Sequence, residues 1–279
     1  MVERMSGEEL VALVHRVFLP RGNERRMAIL VDLPDAQVPD NPDWAARRVI
    51  AEDWCRELMA QQAALGMTCE LVFYRNAHTN NGELPLHCWI HRDGASPGTA
   101  EELDPANSIS FDQLFMEHPI LLVLSEFSAT APLKMAARTR PIRAATMAGF
   151  RHDMVPALRL DYTEVNRRVA YLKELLDKAT GADFCFAYPG GEAELHLDLR
   201  FRQGHASGGL LPDPGTAGNL PSGEAYIVPY EGETETSRSA GILPVQFGTE
   251  LVLYKIENNK AVSVLTQGGA SDGEAAHLA

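Results

Sequence analysis

Residues 218–232 read GNLPSGEAYIVPYEG, and within them one carboxylate, Glu224, follows a Pro221-Ser222-Gly223 turn at the mouth of a short apolar strand. Asn219, Pro221 and Gly223 are turn-formers, while Ala225, Ile227 and Pro229 alternate with Tyr226 and Val228 in the period-two rhythm of an extended segment. A turn that fixes one carboxylate where loop becomes strand can supply an oxygen ligand to Zn²⁺, Mn²⁺ or Co²⁺, because a metal tolerates little error in ligand position. A solvated glutamate on a hairpin edge fits the same local pattern, so both readings stay open on the spacing alone.

The other chemistry-bearing residues are less organised. Gly94-Ala95-Ser96-Pro97-Gly98 matches the G-x-S-x-G elbow of serine hydrolases, but Pro97 has no N–H to give an oxyanion and no apolar strand leads into the turn. His87 and His91 in HCWIH share one face, yet no H-E-x-x-H is present, and half-buried strand histidines are the expectation. His196, Asp198 and Arg200 alternate with Leu195, Leu197 and Leu199, which predicts a strand with one wet face. His152 and His205 stand in Met- or Gly-containing loops and read as surface histidines. No phosphate-binding or dinucleotide-binding glycine pattern follows a strand, so nucleotide binding has no support.

Two regions have to position these groups. Residues 1–160 alternate helix and strand signals: a Ser6/Glu9 capping box ahead of Leu10, Leu13, Val14 and Val17, a continuous apolar run at 27–33 (MAILVDL), and a long helix over about 43–65 stopped by Gly66. Strands at 69–74, near 86–91, at 120–124 and at 142–147 are separated by helical stretches at 111–118 and 131–139. This order predicts an α/β fold with a mostly parallel sheet in three layers. From residue 161 to 279 the pattern becomes β-rich. A helix carrying Val165, Val169, Leu172 and Leu176 and ended by Gly181 is followed by strands at 184–188, 193–201, 225–228, 242–247, 250–256 and 261–265, with Asn258-Asn259 as a hairpin turn. Residues 271–274 (SDGE) open a last short helix or a frayed tail.

Composition narrows the function classes. The 38 acidic against 25 basic residues give a formal charge of −13, so a nucleic-acid partner is excluded by repulsion and by the lack of a basic stripe. No apolar run approaches the roughly 20 residues that span a bilayer, and the N-terminus lacks a secretory pattern, so no membrane partner and a cytoplasmic address are expected. Cys55, Cys69, Cys88 and Cys185 form no C-x-x-C pair and lie in apolar segments, which predicts buried reduced thiols.

The run from Asn219 to Tyr226 resembles the N-(I/L/M)-P-(S/T)-x-E-(V/A)-(F/Y) segment of the thermophilic-type metallo-aminopeptidases, the aminopeptidase T and aminopeptidase S group. Residues 125–133 (SEFSATAPL), 143–150 (RAATMAGF) and 194–202 (ELHLDLRFR) look similar to the same family, while the first hundred or so residues match poorly. The resemblance implies that Glu224 is a metal ligand, that two divalent ions (Zn, Co or Mn) act on a small peptide substrate, and that the protein is a homodimer. It places Asp198 near the active-site region. It also implies further ligands beyond residue 279, and hence a chain truncated at its C-terminus. Two other readings share the scaffold: a ring-cleaving dioxygenase holding one non-haem Fe²⁺, which has no need of Glu224, and a metal-free binding protein.

Overall fold

The computed structural model describes residues 3–278. In chain order the elements are α1 (Gly7–Phe18), β1 (Arg26–Leu33), α2 (Pro42–Ala60), α3 (Gln62–Leu65), β2 (Thr68–Arg75), β3 (His87–Ile90), β4 (Ile109–Ser110), α4 (Phe111–Glu117), β5 (Ile120–Val123), α5 (Thr130–Ala137), β6 (Arg143–Thr146), α6 (Val155–Leu158) and α7 (Tyr162–Leu176). They continue with β7 (Gly181–Tyr188), β8 (Gly191–Asp198), β9 (His205–Ser207), β10 (Thr216–Asn219), β11 (Glu224–Tyr226), β12 (Ala240–Phe247), β13 (Glu250–Glu257), β14 (Lys260–Val264) and α8 (Gly269–Leu278). The chain divides into two compact units, Met1–Arg167 with Ser207–Gly223, and Arg168–Ala206 with Glu224–Ala279.

The first unit is built on a seven-stranded sheet in the order β10-β6-β5-β1-β2-β3-β4. The pairs from β10 through β2 are parallel, and β3 and β4 close the edge antiparallel. Every residue of β1 after Arg26 is buried, as a continuous apolar run requires of a central strand covered on both faces. Met27, Ile29, Val31 and Leu33 face a core shared with Leu10, Leu13, Val14 and Val17 of α1 and Ile50, Trp54 and Leu58 of α2. Ala28 and Leu30 face the opposite core, with Phe111, Leu114 and Phe115 of α4 and Leu133 of α5. The expected three-layer α/β arrangement with a mostly parallel sheet is therefore the one found.

Local signals also landed. The Ser6 hydroxyl accepts the Glu9 N–H at 3.2 Å while the Glu9 carboxylate accepts the Ser6 N–H at 2.9 Å, closing the capping box. The long helix expected over 43–65 is interrupted at Gln61, and Gly66 caps the short α3 at φ +79°.

The second unit carries a five-stranded sheet, order β14-β13-β12-β8-β7, whose neighbours pair antiparallel. Leu195, Val252, Tyr254 and Ile256 form its core, with Ala270 of α8 packed against them. Asn258 and Asn259 both adopt positive φ, 52° and 64°, giving the two-residue turn expected of that pair. One reading needs correction, and one pair of alternatives is decided for the helix. Gly181 does not end α7; it opens β7, where an added Cβ would meet the His196 ring at 2.7 Å, so cross-strand packing fixes the glycine. The tail is not frayed over 269–278: the Ala270 N–H donates to Glu250 at 2.9 Å and the Tyr254 hydroxyl donates to Glu274 at 2.7 Å, packing α8.

The seam between β8 and β12 rests on two paired positions, Ala240 with His196 and Gly241 with Leu195. Gly241 lies at φ +137°, and a Cβ there would collide with the backbone carbonyl oxygen of Glu194. Replacing Gly241 by Ala is expected to open this seam and lower stability by about 2 kcal/mol, read as a shifted midpoint in urea unfolding followed by the circular dichroism of the sheet.

Candidate functional site

In an open parallel sheet, ligands collect at the carboxyl ends of the strands, where the strand order reverses. Here the reversal lies between β1 and β5: the chain leaves β1 toward β2 on one side, while β5, β6 and β10 lie on the other. Asp32, next to last in β1, is 1% exposed at this point. Its Oδ1 accepts the Glu126 N–H at 2.8 Å and the Trp44 indole N–H at 3.0 Å, and its Oδ2 accepts the N–H groups of Glu126 and Phe127 at 3.0 and 3.1 Å. Burial pushes the Asp32 carboxyl up to about 6, against the downward pull of these donors and of Arg47.

Around it the loop after β5 is pinned. Arg47 of α2, 2% exposed, donates to Glu126 at 2.6 Å and to the Phe150 carbonyl at 3.1 Å, and Asn41 donates to the other Glu126 oxygen at 3.1 Å. Thr130 and Thr146 share a hydrogen bond of 2.7 Å, and both hydroxyls reach the Asn219 side-chain oxygen, at 2.8 and 2.9 Å. Ser128 joins Thr130 to Asn81. Three of the segments singled out in the sequence, 125–133, 143–150 and the start of 219–226, are thus tied by hydrogen bonds at one edge of the sheet. The Asp32 carboxylate is shielded and the Glu126 charge is neutralised by Arg47, so this edge positions loops and leaves no free acid or base among these groups.

The turn that precedes Glu224 is held in the same unit. Leu220 is buried and donates its N–H to the Thr146 carbonyl at 2.9 Å, the Leu220–Pro221 bond is cis, and the Ser222 hydroxyl lies 2.7 Å from that of Ser207. Glu224 follows in the chain as the first residue of β11, which forms a two-stranded sheet with β9. Glu224 is exposed, and its carboxylate meets no cation or hydrogen-bond donor among the described residues. Tyr226, two residues on and so on the same face, stacks its ring on His205 with centroids 5.0 Å apart. A carboxylate, a phenol and an imidazole therefore share one face of the ribbon, a placement the spacing in sequence did not show for His205.

The described residues do not make a metal centre by themselves: among them no group of three or more His, Cys, Asp or Glu side chains is gathered as a metal requires. His87 is exposed, and His91 is half-buried with its ring edge-on to Phe73 at 5.7 Å. His152 bonds the Glu3 carbonyl at 2.9 Å, and His277 is exposed on α8.

The wet face expected for His196, Asp198 and Arg200 is not found. His196 is half-buried beside Asp183, 2.7 Å away, and Asp198 is 1% exposed. Arg200 grips Asp198 through bonds of 2.8, 2.9 and 3.2 Å, and the backbone N–H of Arg238 adds another at 2.9 Å. The Arg200 guanidinium, with the Arg238 and Arg200 N–H groups, holds this carboxyl well below the usual carboxylate range despite its burial. Residues 230–239 fold over that face, so Asp198 is a buried hub of the second unit.

Asp32 gives the site a pH signature. Its folded value near 6 lies above the ordinary 3.8, so the folded state holds the proton more tightly and the associated stability is full below about pH 4 and lost as pH rises through about 6. The stability of the native chain minus that of Asp32→Asn is expected to fall by about 2 kcal/mol between pH 4 and 6 in urea titrations. A flat difference would remove the assignment.

No known protein family matches the sequence, and no curated protein does. Among solved structures, the 2,5-dihydroxypyridine dioxygenase of Pseudomonas putida superposes over 98% of this chain and 72% of its own, with a TM-score of 0.59 and 16% identity. Wild-type AmpT of Thermus thermophilus covers 92% of this chain and 70% of its own at a TM-score of 0.43, again with 16% identity, too low a score to carry an argument. The chain is similar in fold to the dioxygenase structure, and at that identity the likeness extends to the fold alone.

Proposed function

We propose that the chain belongs to a metal-dependent hydrolase of aminopeptidase type in which Glu224 supplies one carboxylate to divalent metal. The observation that carries this reading is a carboxylate left unpaired at the opening of β11, directly after an anchored Asn-Leu-Pro-Ser-Gly turn of the kind the resembling family uses. An exposed, unneutralised carboxylate is the state a metal ligand occupies before binding. The substrate is a small peptide with a free amino terminus, and the acidic surface favours that cationic end. Zn, Co or Mn, two ions in the resembling family, would polarise the scissile carbonyl and supply hydroxide at neutral pH. The described residues gather no set of three or more His, Cys, Asp or Glu side chains there, so that centre needs donors besides Glu224.

A second reading rests on the dioxygenase fold likeness: one Fe²⁺ and ring cleavage of a dihydroxypyridine. Metal titration separates the two. The hydrolase reading expects binding of two equivalents of Zn²⁺, Co²⁺ or Mn²⁺, at least tenfold weaker in Glu224→Gln, and release of amine from an aminoacyl anilide that Glu224→Gln loses. One equivalent of Fe²⁺, dioxygen uptake with a dihydroxypyridine and indifference to Glu224→Gln would favour the dioxygenase. Absence of any metal binding would leave a binding role.

A further inference from the structure

Two cysteines far from the β11 ribbon in sequence are brought together by the packing of α2 on β2. Cys55 of α2 and Cys69 of β2 are 14 residues apart, and the Cys55 thiol donates to the Cys69 carbonyl oxygen at 3.7 Å. Both side chains line one surface pocket. Cys69 is 3% exposed, and its N–H donates to the Met59 sulfur at 3.2 Å, so a second sulfur fixes its backbone. Cys55 is half-buried and opens to a surface pocket of about 630 Å³ lined also by Met59, Cys69, His91, Arg92 and Ser96. One thiol is therefore reachable from solvent through a pocket whose rim carries both signs of charge, Arg56 and Arg92 against Glu52 and Glu70, and the other waits behind it.

The chemistry of the pair is asymmetric. The neighbouring Cys69 lowers the Cys55 thiol against burial and the Glu70 carboxylate, and the neighbouring Cys55 together with burial raises Cys69 well above the usual range. The more acidic, more accessible sulfur is the one an oxidant meets first. By contrast Cys88 is buried and pushed up to about 12, and Cys185 is exposed on β7, alone, which corrects the expectation that all four thiols are buried.

We propose that Cys55 and Cys69 form a reversible dithiol–disulfide pair oxidised by hydrogen peroxide that enters the pocket. The Cys55 thiolate attacks the peroxide, the O–O bond breaks, water leaves after protonation, and Cys55 becomes a sulfenic acid while the peroxide is reduced. Cys69 sulfur then attacks Cys55 sulfur, the S–O bond breaks, its thiol proton leaves with the oxygen as a second water, and the S–S bond forms. Two thiols and one peroxide give one disulfide and two waters, and a small thiol reductant reverses the step. The product staples α2 to β2. Intracellular disulfides, where they occur, are typically transient sensors of this kind.

The test uses the full chain carrying Cys185→Ser, which removes the exposed thiol and leaves three of the four cysteines. One equivalent of hydrogen peroxide is expected to lower the free thiols, counted after denaturation, from three to one. Tryptic mass mapping should find the Cys55 and Cys69 peptides joined, and dithiothreitol should separate them. In Cys69→Ser, dimedone should trap the sulfenic acid on Cys55, whereas Cys55→Ser should show neither the link nor the adduct. A thiol count that stays at three, a link involving Cys88, or separate over-oxidation of Cys55 without a link would overturn the proposal. The measurement on the Cys185→Ser chain decides the matter even where a second variant folds poorly.

Discussion

A strand that is apolar on both faces has to be covered twice, and β1 imposes that condition on the first unit. Seven consecutive buried residues leave no wet side, so α1 and α2 must close one face and α4 and α5 the other. Each buried aliphatic side chain contributes roughly 1.5–3 kcal/mol, which is ample to hold the helices against the sheet. The same burial makes Asp32 expensive. A carboxylate at the end of a dry strand persists because it gathers several N–H donors, and by gathering them it clamps the loop after β5 and the start of α2 to the end of β1. The central strand thus dictates the layers and, through its one acid, the shape of the sheet's carboxyl edge.

That edge is organised by neutral and neutralised groups. The Thr130 and Thr146 hydroxyls share their two protons among each other and the Asn219 oxygen, and Arg47 compensates Glu126. Such a network serves orientation more than chemistry, because its hydroxyls and its charged pair are engaged with one another. The groups that keep unspent capacity are elsewhere, on the β9–β11 ribbon, where Glu224 stands free and His205 stacks on Tyr226. Residues of the segments 125–133 and 143–150 build the knot that holds the start of the turn before Glu224.

Much of the fold was legible because the signals are local. The capping box at Ser6, the apolar run of β1, the stop at Gly66 and the Asn258-Asn259 turn each depend on a handful of neighbouring residues. Where reading failed, a distant segment decided. Thr216-Ala217-Gly218-Asn219 has no apolar rhythm, yet it becomes β10 because β6 offers a parallel edge and Asn219 an anchor. Asp198 sits at a position alternation assigns to solvent, and it is dry because residues 230–239 fold over it. Asp32 carried a usable signal, an acid closing a buried parallel strand, although its donors come from residues 44 and 126–127.

By itself the sequence determined the class of the fold, the two-faced burial of the central strand, the charge that repels polyanions and the turn ahead of Glu224, since all of these follow from composition and short-range periodicity. Only the tertiary structure decided which polar residues are spent and which remain free. Whether a carboxylate is paired, shielded or open depends on groups tens of residues away, and no local pattern records their arrival. Glu224 and Asp198 look alike along the chain, and they differ because one meets an arginine and a covering loop while the other meets neither.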